Sequence, residues 1–587
     1  MKKQNVFKRA WRYLQNYRGS VYLALFFTVF AAVMNVLEPF VLGLIMTEIT
    51  NNVAAMVQGV EGAGLNYPYI LMWLIIYFVR GFLWQVTSYG SNVYIANAVQ
   101  SAVHDIRHDL SAKLNQLPVS YVDGHPFGDL LGRLTSDVES VSNALQQSIL
   151  QIFNAVLSIV LVIIMMLILN PLLGLIIFVS MPLSYVVSKA IVKRSQPYFK
   201  RQATILGDLN AYVQENLSGF NVIKLYGREA TARQDFQVIT EDLAQTGFKA
   251  SFISSLMMPL VSAVSHITYL LLAVFGGQMV IQGTLTIGNL QAFVQYVWQV
   301  NQPIQTITQL SGPLQSAKAA LDRIFEILDE EEEVVTATRE LAEDLTGQVS
   351  FENVSFQYKA DEPLIQNFNV DVQPGEMVAI VGPTGAGKTT MINLLMRFYD
   401  VTGGAIKVDG IDIRDLPRQA YRKQFGMVLQ DAWLYEASIK ENLRFGNLEA
   451  TDEEIIKAAQ AANVDHFIRT LPGGYNMVMN QESSNISLGQ KQLLTIARAL
   501  LSDPKILILD EATSSVDTRL EQLIQKAMTR LMKGRTSFVI AHRLSTIQEA
   551  DRILVMKDGQ IIEQGTHESL LEQGGFYYDL YQSQFAK

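Results

Sequence analysis

The chain has 587 residues and a formal charge of −9, with 49% hydrophobic and only 17% charged residues, against roughly 25% charged in soluble proteins. Its length exceeds one domain, with about four units as a soft prior, and its net charge says little about partners, among which no nucleic acid is expected. The absence of cysteine excludes disulfides, cysteine-ligated metals and a cysteine-protease domain.

Charge is spread unevenly along the chain. Residues 140–188 and 250–317 hold none and 62–104 hold only Arg80, whereas ordinary density returns after about residue 318. The first half therefore reads as membrane-embedded and the second as soluble. The opening stretch MKKQNVFKRAWRYLQNYR is basic and amphipathic, and reads as an interfacial helix rather than a cleavable signal. A span needs about 20 mostly apolar residues. Six are expected in a transmembrane domain over 1–318, at about 20–46, 68–92, 144–169, 171–192, 254–282 and 288–312. Asn170-Pro171 separates the third from the fourth, and the turn GTLTIG separates the fifth from the sixth.

Lys and Arg cluster in the first 18 residues and in the connections 105–139 and 193–249. The positive-inside rule then puts the termini and both connections in the cytoplasm. Helical periodicity in SAVHDIRHDLSAKLNQL and RQATILGDLNAYVQENL carries the spans beyond the bilayer, with reversals near 118–128 and 205–220. Within the membrane, Arg80, Glu38 and His266 read first as structural pairing groups. The last span poses a sharper question, because it holds glutamines at 291, 295, 299, 302, 305 and 309. At about 100° per residue these share an arc of roughly 120° on one helix face.

A linker is expected over 319–346, and its acidic run at 329–333 reads as a solvated stretch. From 347 to 587, β-rich runs such as VSFENVSFQY, EMVAIVG, ILILDE and TSFVIAH alternate with helical segments, which points to an α/β domain with a largely parallel sheet. The segment GPTGAGKTT, covering Gly382, Pro383, Thr384, Gly385, Ala386, Gly387, Lys388, Thr389 and Thr390, fits the phosphate-loop template. Its glycines let backbone N–H groups surround phosphate oxygens, and the following helix adds its positive end. Lys388 reaches β- and γ-phosphates, and the Thr389 hydroxyl is a Mg²⁺ ligand. In KILILDEATSSVD a buried strand ends in Asp510, placed to hold Mg²⁺ through water, and Glu511, placed to polarise the attacking water.

ISLGQKQ at 486–492, with that strand behind it, resembles the signature motif of ATP-binding-cassette proteins; six spans ahead of one cassette resemble half of a multidrug-type ABC exporter over essentially the whole chain. The resemblance implies a six-span bundle of the type IV (type I exporter) fold followed by a P-loop NTPase. It implies ATP and Mg²⁺ as cofactors and residence in the cytoplasmic membrane as a multi-pass protein. It also implies that Gln430 ligates Mg²⁺ and relays motion, His542 contacts the γ-phosphate, Tyr358 stacks on adenine, and Ser514, Ser515 and Asp517 form the D-loop. Ser487, Leu488, Gly489 and Gln490 would act in trans on the nucleotide of a second half-subunit.

Two departures stand out. The common signature Leu-Ser-Gly-Gly-Gln has Leu488 at its third place, and NQES with Gln481 replaces the usual acidic stretch before it. These favour a heterodimer over a homodimer. In an exporter the glutamine face has a purpose: polar residues in a span face the bundle interior or a water-filled cavity, so Gln291, Gln295, Gln299 and Gln302 are expected to line the path of an amphipathic small molecule. Membrane lipid is the other expected neighbour. The competing readings are a lipid or lipid-linked precursor flippase and, in another class, an ATP-gated channel or regulator. A peptide exporter with a built-in leader protease is not expected, since the chain has no cysteine to serve as its nucleophile, nor is an importer, since importers usually carry the two parts on separate chains.

Overall fold

The computed structural model describes residues 6–333, 339, 345–359, 362–429, 432–479, 486–510, 518–541 and 543–584. The chain divides into two compact units, one of Met1–Gln116 with His125–Glu331 and one of Leu117–Gly124 with Glu332–Lys587.

The first unit is helical. The short amphipathic α1 (Val6–Gln15) leads into α2 (Arg18–Val57) and α3 (Tyr67–Leu114). The short α4 (Val119–Asp123) belongs to the other unit, and α5 (Phe127–Gly132) returns through a π-turn at Arg133–Asp137 into α6 (Val138–Leu169). Then follow α7 (Pro171–Ser218), α8 (Phe220–Leu225), α9 (Glu229–Ser255), α10 (Met257–Ile281), α11 (Ile287–Gln309) and α12 (Ser311–Asp329). The caps are those the sequence supplies. The Asn170 side chain accepts from the backbone N–H groups of Leu172 and Leu173, with Pro171 at the first helical position. The π-turn is pinned by charge: Arg133 pairs with Asp129 and with Glu326 at 2.8 Å, and Asp137 pairs with Arg323.

Five helical segments among the described residues are long and apolar enough to cross a membrane. The sixth expected span coincides with α11, whose 23 residues carry the glutamine face and so fall short on composition alone. What holds α11 in place is contact with α2. A Cβ on Gly288 would lie 1.7 Å from the Gly43 carbonyl oxygen, so the two backbones touch where only glycine fits. Arg80 and Glu38 form the expected pair at 3.1 Å, completed by the Tyr77 hydroxyl donating to Glu38 at 3.0 Å. The stretch expected to be linker begins as helix, since α12 runs to Asp329. Its acidic run is not simply solvated: Asp329 takes a bidentate bond from Arg9, and Glu333 is held by Arg418 and Arg422 at 2.6 and 2.7 Å.

The second unit holds two sheets. β1 (Val349–Lys359), β2 (Glu362–Val372), β4 (Gly403–Val408) and β5 (Ile411–Asp412) form an antiparallel sheet in the order β2-β1-β4-β5, so VSFENVSFQY does not join the parallel one. The larger sheet contains β3 (Met377–Val381), β6 (Phe425–Val428), β7 (Ile506–Asp510), β8 (Thr536–Ile540), β9 (Arg552–Lys557) and β10 (Gln560–Gly565), ordered β10-β9-β3-β8-β7-β6. It is parallel from β9 through β6, with β10 antiparallel at the edge. Its strands are near-continuous apolar runs because both faces are buried. Ala379, Val381, Leu507, Leu509 and Val539 enter one core, and Val378, Ile380, Ile506, Ile508 and Phe538 enter the other. This stacking brings the carboxyl ends of β3 and β7, on either side of β8, to one edge, the usual ligand edge of such sheets.

Candidate functional site

At that edge β3 runs into the loop Gly382–Gly387 and then into α13 (Lys388–Leu395). Gly382 has φ +151°, and a Cβ there would lie 2.2 Å from the Met556 carbonyl oxygen; Gly387, the residue before α13, has φ +96°. Both demand glycine, and both turn the loop's backbone toward one centre. Pro383, Thr384, Gly385 and Thr389 are exposed, while Ala386, Gly387 and Thr390 are buried and anchor the loop. Lys388 arches over it, its ammonium donating to the carbonyls of Gly382 and Pro383 at 2.8 and 2.9 Å. Burial pulls the Lys388 pKa down, and the Asp510 charge opposes that shift.

Asp510 ends β7 opposite Ile540 of β8. The Thr389 hydroxyl and the Asp510 carboxylate are hard oxygen donors, the kind Mg²⁺ takes when phosphate oxygens and water complete its octahedron. Among the described residues no cluster of three His, Cys, Asp or Glu would cage a metal unaided. The residues therefore fit Mg²⁺ carried with a nucleotide. Gln430, Glu511, His542, Ser514, Ser515 and Asp517 lie outside the described residues, as does Gln481.

The Tyr358 ring is 49% exposed, and its hydroxyl donates to Thr390 Oγ1 at 3.2 Å. The ring is braced edge-on by Phe356 and by Tyr399, whose centroid lies 5.0 Å away at 90°. Sequence reasoning missed Tyr399. Its hydroxyl donates to the Asp123 carboxylate at 2.7 Å, and this ties α4 to the aromatic group beside the phosphate loop. Burial first, then the bond to Asp123, pushes the Tyr399 phenol well above the usual tyrosine range.

Ser487 caps the helix Leu488–Ser502: its hydroxyl accepts from the Gln490 N–H, and the Gln490 side chain accepts from the Ser487 N–H at 2.9 Å. Gly489 is buried, whereas Leu488 projects with 41% of its surface exposed. The departure from the common signature thus puts a bulky apolar side chain on the surface of the helix's first turn.

In the helical unit a pocket of about 300 Å³ is lined by Gln299, Gln302, Pro303 and Thr306 of α11, by Asn35 of α2, and by Gln151, Asn154, Ala155 and Ser158 of α6. The structure thus brings Gln299 and Gln302 together; Gln291 and Gln295 do not line this pocket. Asn35, Gln151 and Asn154 were missed, because isolated amides on α2 and α6 make no stripe of their own. The physical link is Pro39. A proline cannot donate to the carbonyl four residues back, here that of Asn35, and Gln299 Nε2 donates to that carbonyl instead at 3.2 Å. Gln299 Oε1 is left buried with no hydrogen-bond partner among the described residues. Next to it the Tyr296 hydroxyl donates to the Val36 carbonyl at 3.0 Å, and Arg80 donates to the Met34 carbonyl at 2.8 Å.

Residues 21–304 match the family described as "ABC transporter transmembrane region", and residues 365–514 match "ABC transporter". A "Fatty acid ABC transporter ATP-binding/permease protein" of Mycobacterium bovis is 47% identical over 482 residues, which is 82% of this chain and 76% of that protein. An "ATP-dependent lipid A-core flippase" of Syntrophus aciditrophicus is 36% identical over 516 residues, 87% of this chain and 84% of that one. Among solved structures, a bacterial Atm1-family ABC exporter with ATP bound superposes with a TM-score of 0.79 at 26% identity, over 97% of this chain and 99% of that chain.

Proposed function

As this chain belongs to the ABC transporter family, a membrane-spanning exporter half whose cassette is an ATPase coupled to transport, we propose that its cargo is a lipid-like amphiphile whose uncharged polar part binds among Asn35, Gln151, Asn154, Gln299 and Gln302. The pocket these residues line carries the reading, because it offers donors and acceptors but no formal charge. Amides facing a cavity in the membrane are costly unless used, and Gln299 Oε1 is an acceptor with no donor among the described residues. The names of the two relatives, one for fatty acid and one for lipid A-core, support lipid-like cargo over a broad multidrug range. In vesicles holding the assembled transporter, Gln299→Leu and Asn154→Leu should each weaken cargo-stimulated ATPase several-fold without changing the KM for ATP. Unchanged stimulation across lipid-like and drug-like cargo would overturn the assignment. A channel would dissipate a cargo gradient, whereas a pump builds one.

In the cassette, the backbone of Gly382–Gly387 and the Lys388 ammonium would hold the nucleotide phosphates, and Tyr358 would stack on its base. Thr389 and Asp510 would hold Mg²⁺, which supplies charge neutralisation on the phosphates. Glu511 would polarise water, with Gln430 and His542 beside the γ-phosphate. Ser487, Gly489 and Gln490 would complete a site in a second half-subunit, with Ser514, Ser515 and Asp517 at the shared boundary. Exposed Leu488, where the common motif has glycine, supports a heterodimer. Robust ATPase from the purified chain alone would refute it. The exposed apolar tip of the α7–α9 hairpin, with Leu217, Val222, Leu225 and Tyr226, also supports a partner that covers it. Lys and Arg placement supports a cytoplasmic-membrane setting with both termini inside.

A further inference from the structure

A second cavity in the helical unit has no part in the transport reading. It is a half-open pocket of about 480 Å³ under α1, between α2, α6 and α12. Fourteen of its fifteen lining residues are apolar, among them Phe7, Trp11, Leu25, Ile149 and Phe153. The exception is Ser148, 3% exposed, whose hydroxyl has no hydrogen-bond partner among the described residues. Water needs two to four polar partners to settle in such a space, so hydrocarbon is the fitting occupant. The volume lies within the roughly 300–1,000 Å³ of small-ligand sites.

The roof of the cavity is built rather than loosely laid. Arg9 makes its bidentate bond to Asp329 and sits 3.9 Å over the Phe325 ring, and the Tyr13 hydroxyl donates to Asp109 at 2.8 Å. Leu14 is 1% exposed. Trp11 and Leu14 also wall a neighbouring pocket of about 280 Å³ that contains Gln15 and Arg18. Of the acids nearby, Asp329 is taken by Arg9, Asp109 by Tyr13, and Asp105 by Tyr17 at 2.9 Å. Arg18 has no carboxylate partner among the described residues and is exposed. An apolar slot thus adjoins a pocket whose lining holds one cation, Arg18.

We propose that this cavity binds one long-chain fatty acid anion, its tail under α1 among Phe7, Trp11, Ile149 and Phe153 and its carboxylate on Arg18. One cation matches one carboxylate, and one slot of this volume matches one chain rather than a two-chain lipid. Each added buried methylene should tighten binding about fourfold, so chain length sets affinity. The site is separate from the amide pocket and stands whether or not lipid-like molecules are the transported cargo.

The test uses the assembled transporter in phosphatidylcholine nanodiscs and a diazirine-bearing palmitate, with labelled peptides mapped by mass spectrometry. Labels are expected on the segments around Phe7–Leu14 and Leu145–Val156, displaced by palmitate at far lower concentration than by octanoate. Arg18→Gln should raise the palmitate concentration for half-displacement about tenfold while leaving that for methyl palmitate within twofold. Ile149→Trp and Phe153→Ala supply a filled and an enlarged cavity; the first should abolish labelling of these segments and the second should retain it. Labelling only around Gln299, displacement by phosphatidylglycerol as readily as by palmitate, or no labelling because a partner subunit covers the cavity would each overturn the proposal. A transport assay that fails while this labelling persists bears on the cargo alone.

Discussion

Tyr399→Phe isolates one bond. The substitution keeps the ring against Tyr358 and Phe356 and removes only the hydroxyl that donates to Asp123 at 2.7 Å. Hydrogen bonds to charged groups contribute about 1.5–3 kcal/mol, but Asp123 is solvent-exposed, and screening brings the expected loss to about 1 kcal/mol. That equals a factor of about five in any equilibrium that depends on α4 staying on the aromatic group beside the phosphate loop. The KM for ATP should stay within twofold, and cargo moved per ATP hydrolysed should fall about three- to fivefold. Asp123→Ala should do the same, and the double variant should be no worse than either single one, giving a coupling of about 1 kcal/mol. The bond should also be indifferent to mild alkali. The donor is the neutral phenol, and its folded pKa is raised by burial and by Asp123. Its contribution is therefore complete below the ordinary tyrosine range and lost only as pH rises through the higher folded value, so the ratio of variant to parent should stay flat from pH 7 to about 9. Additive effects in the double variant, or full coupling in Tyr399→Phe, would refute the reasoning.

Other substitutions test other joints. Tyr399→Leu, which also removes the edge contact with Tyr358, should raise the KM for ATP by a factor of about two to ten, since such aromatic pairs contribute about 0.5–1.5 kcal/mol; equilibrium binding of a fluorescent ATP analogue checks it. Gly288→Val should prevent assembly of the helical unit, read as loss of monodisperse protein in detergent, while Gly312→Ala, with open space at its Cβ position, should behave as the parent. Glu333→Gln should lower the melting temperature of the cassette by cutting its bonds to Arg418 and Arg422, a loss of about 1–2 kcal/mol. Burial works to raise the Glu333 pKa, but Arg422 and Arg418 outweigh it and hold it low. The stability it contributes is present above the ordinary glutamate pKa and lost as pH falls through the lowered folded value, so the parent and the variant should converge only in acid.

The phosphate loop was legible because its chemistry needs local spacing: glycines, a lysine and a threonine within nine residues of one another. The alternation of strands and helices foretold an α/β cassette, yet it did not separate the antiparallel β1, β2, β4 and β5 from the parallel sheet, since pairing direction is set by partners distant in sequence. The glutamine stripe pointed to a polar face on α11, but only Gln299 and Gln302 meet the pocket. Their companions Asn35, Gln151 and Asn154 come from helices whose own patterns are ordinary, and assembly rather than periodicity brings them together. Tyr399 was invisible for the same reason: its partner lies 276 residues away. The acidic run at 329–333 looked like a solvated stretch because the arginines that hold it, Arg9, Arg418 and Arg422, are remote in the chain.

Pro39 has a consequence for how cargo is let go. Three successive carbonyls of α2, those of Met34, Asn35 and Val36, are tied by side chains from α3 and α11, and about two turns further on Gly43 and Gly288 lock backbone to backbone. Helices α2, α3 and α11 thus behave as a single splint that cannot be pulled apart without stranding donors in hydrocarbon. The wall better placed to withdraw is the upper part of α6, which brings Gln151 and Asn154: the α3–α6 side-chain bonds among the described residues reach it lower down, Gln100 at Ser142 and Arg107 at Glu139, so release becomes the departure of one helix end from a standing frame.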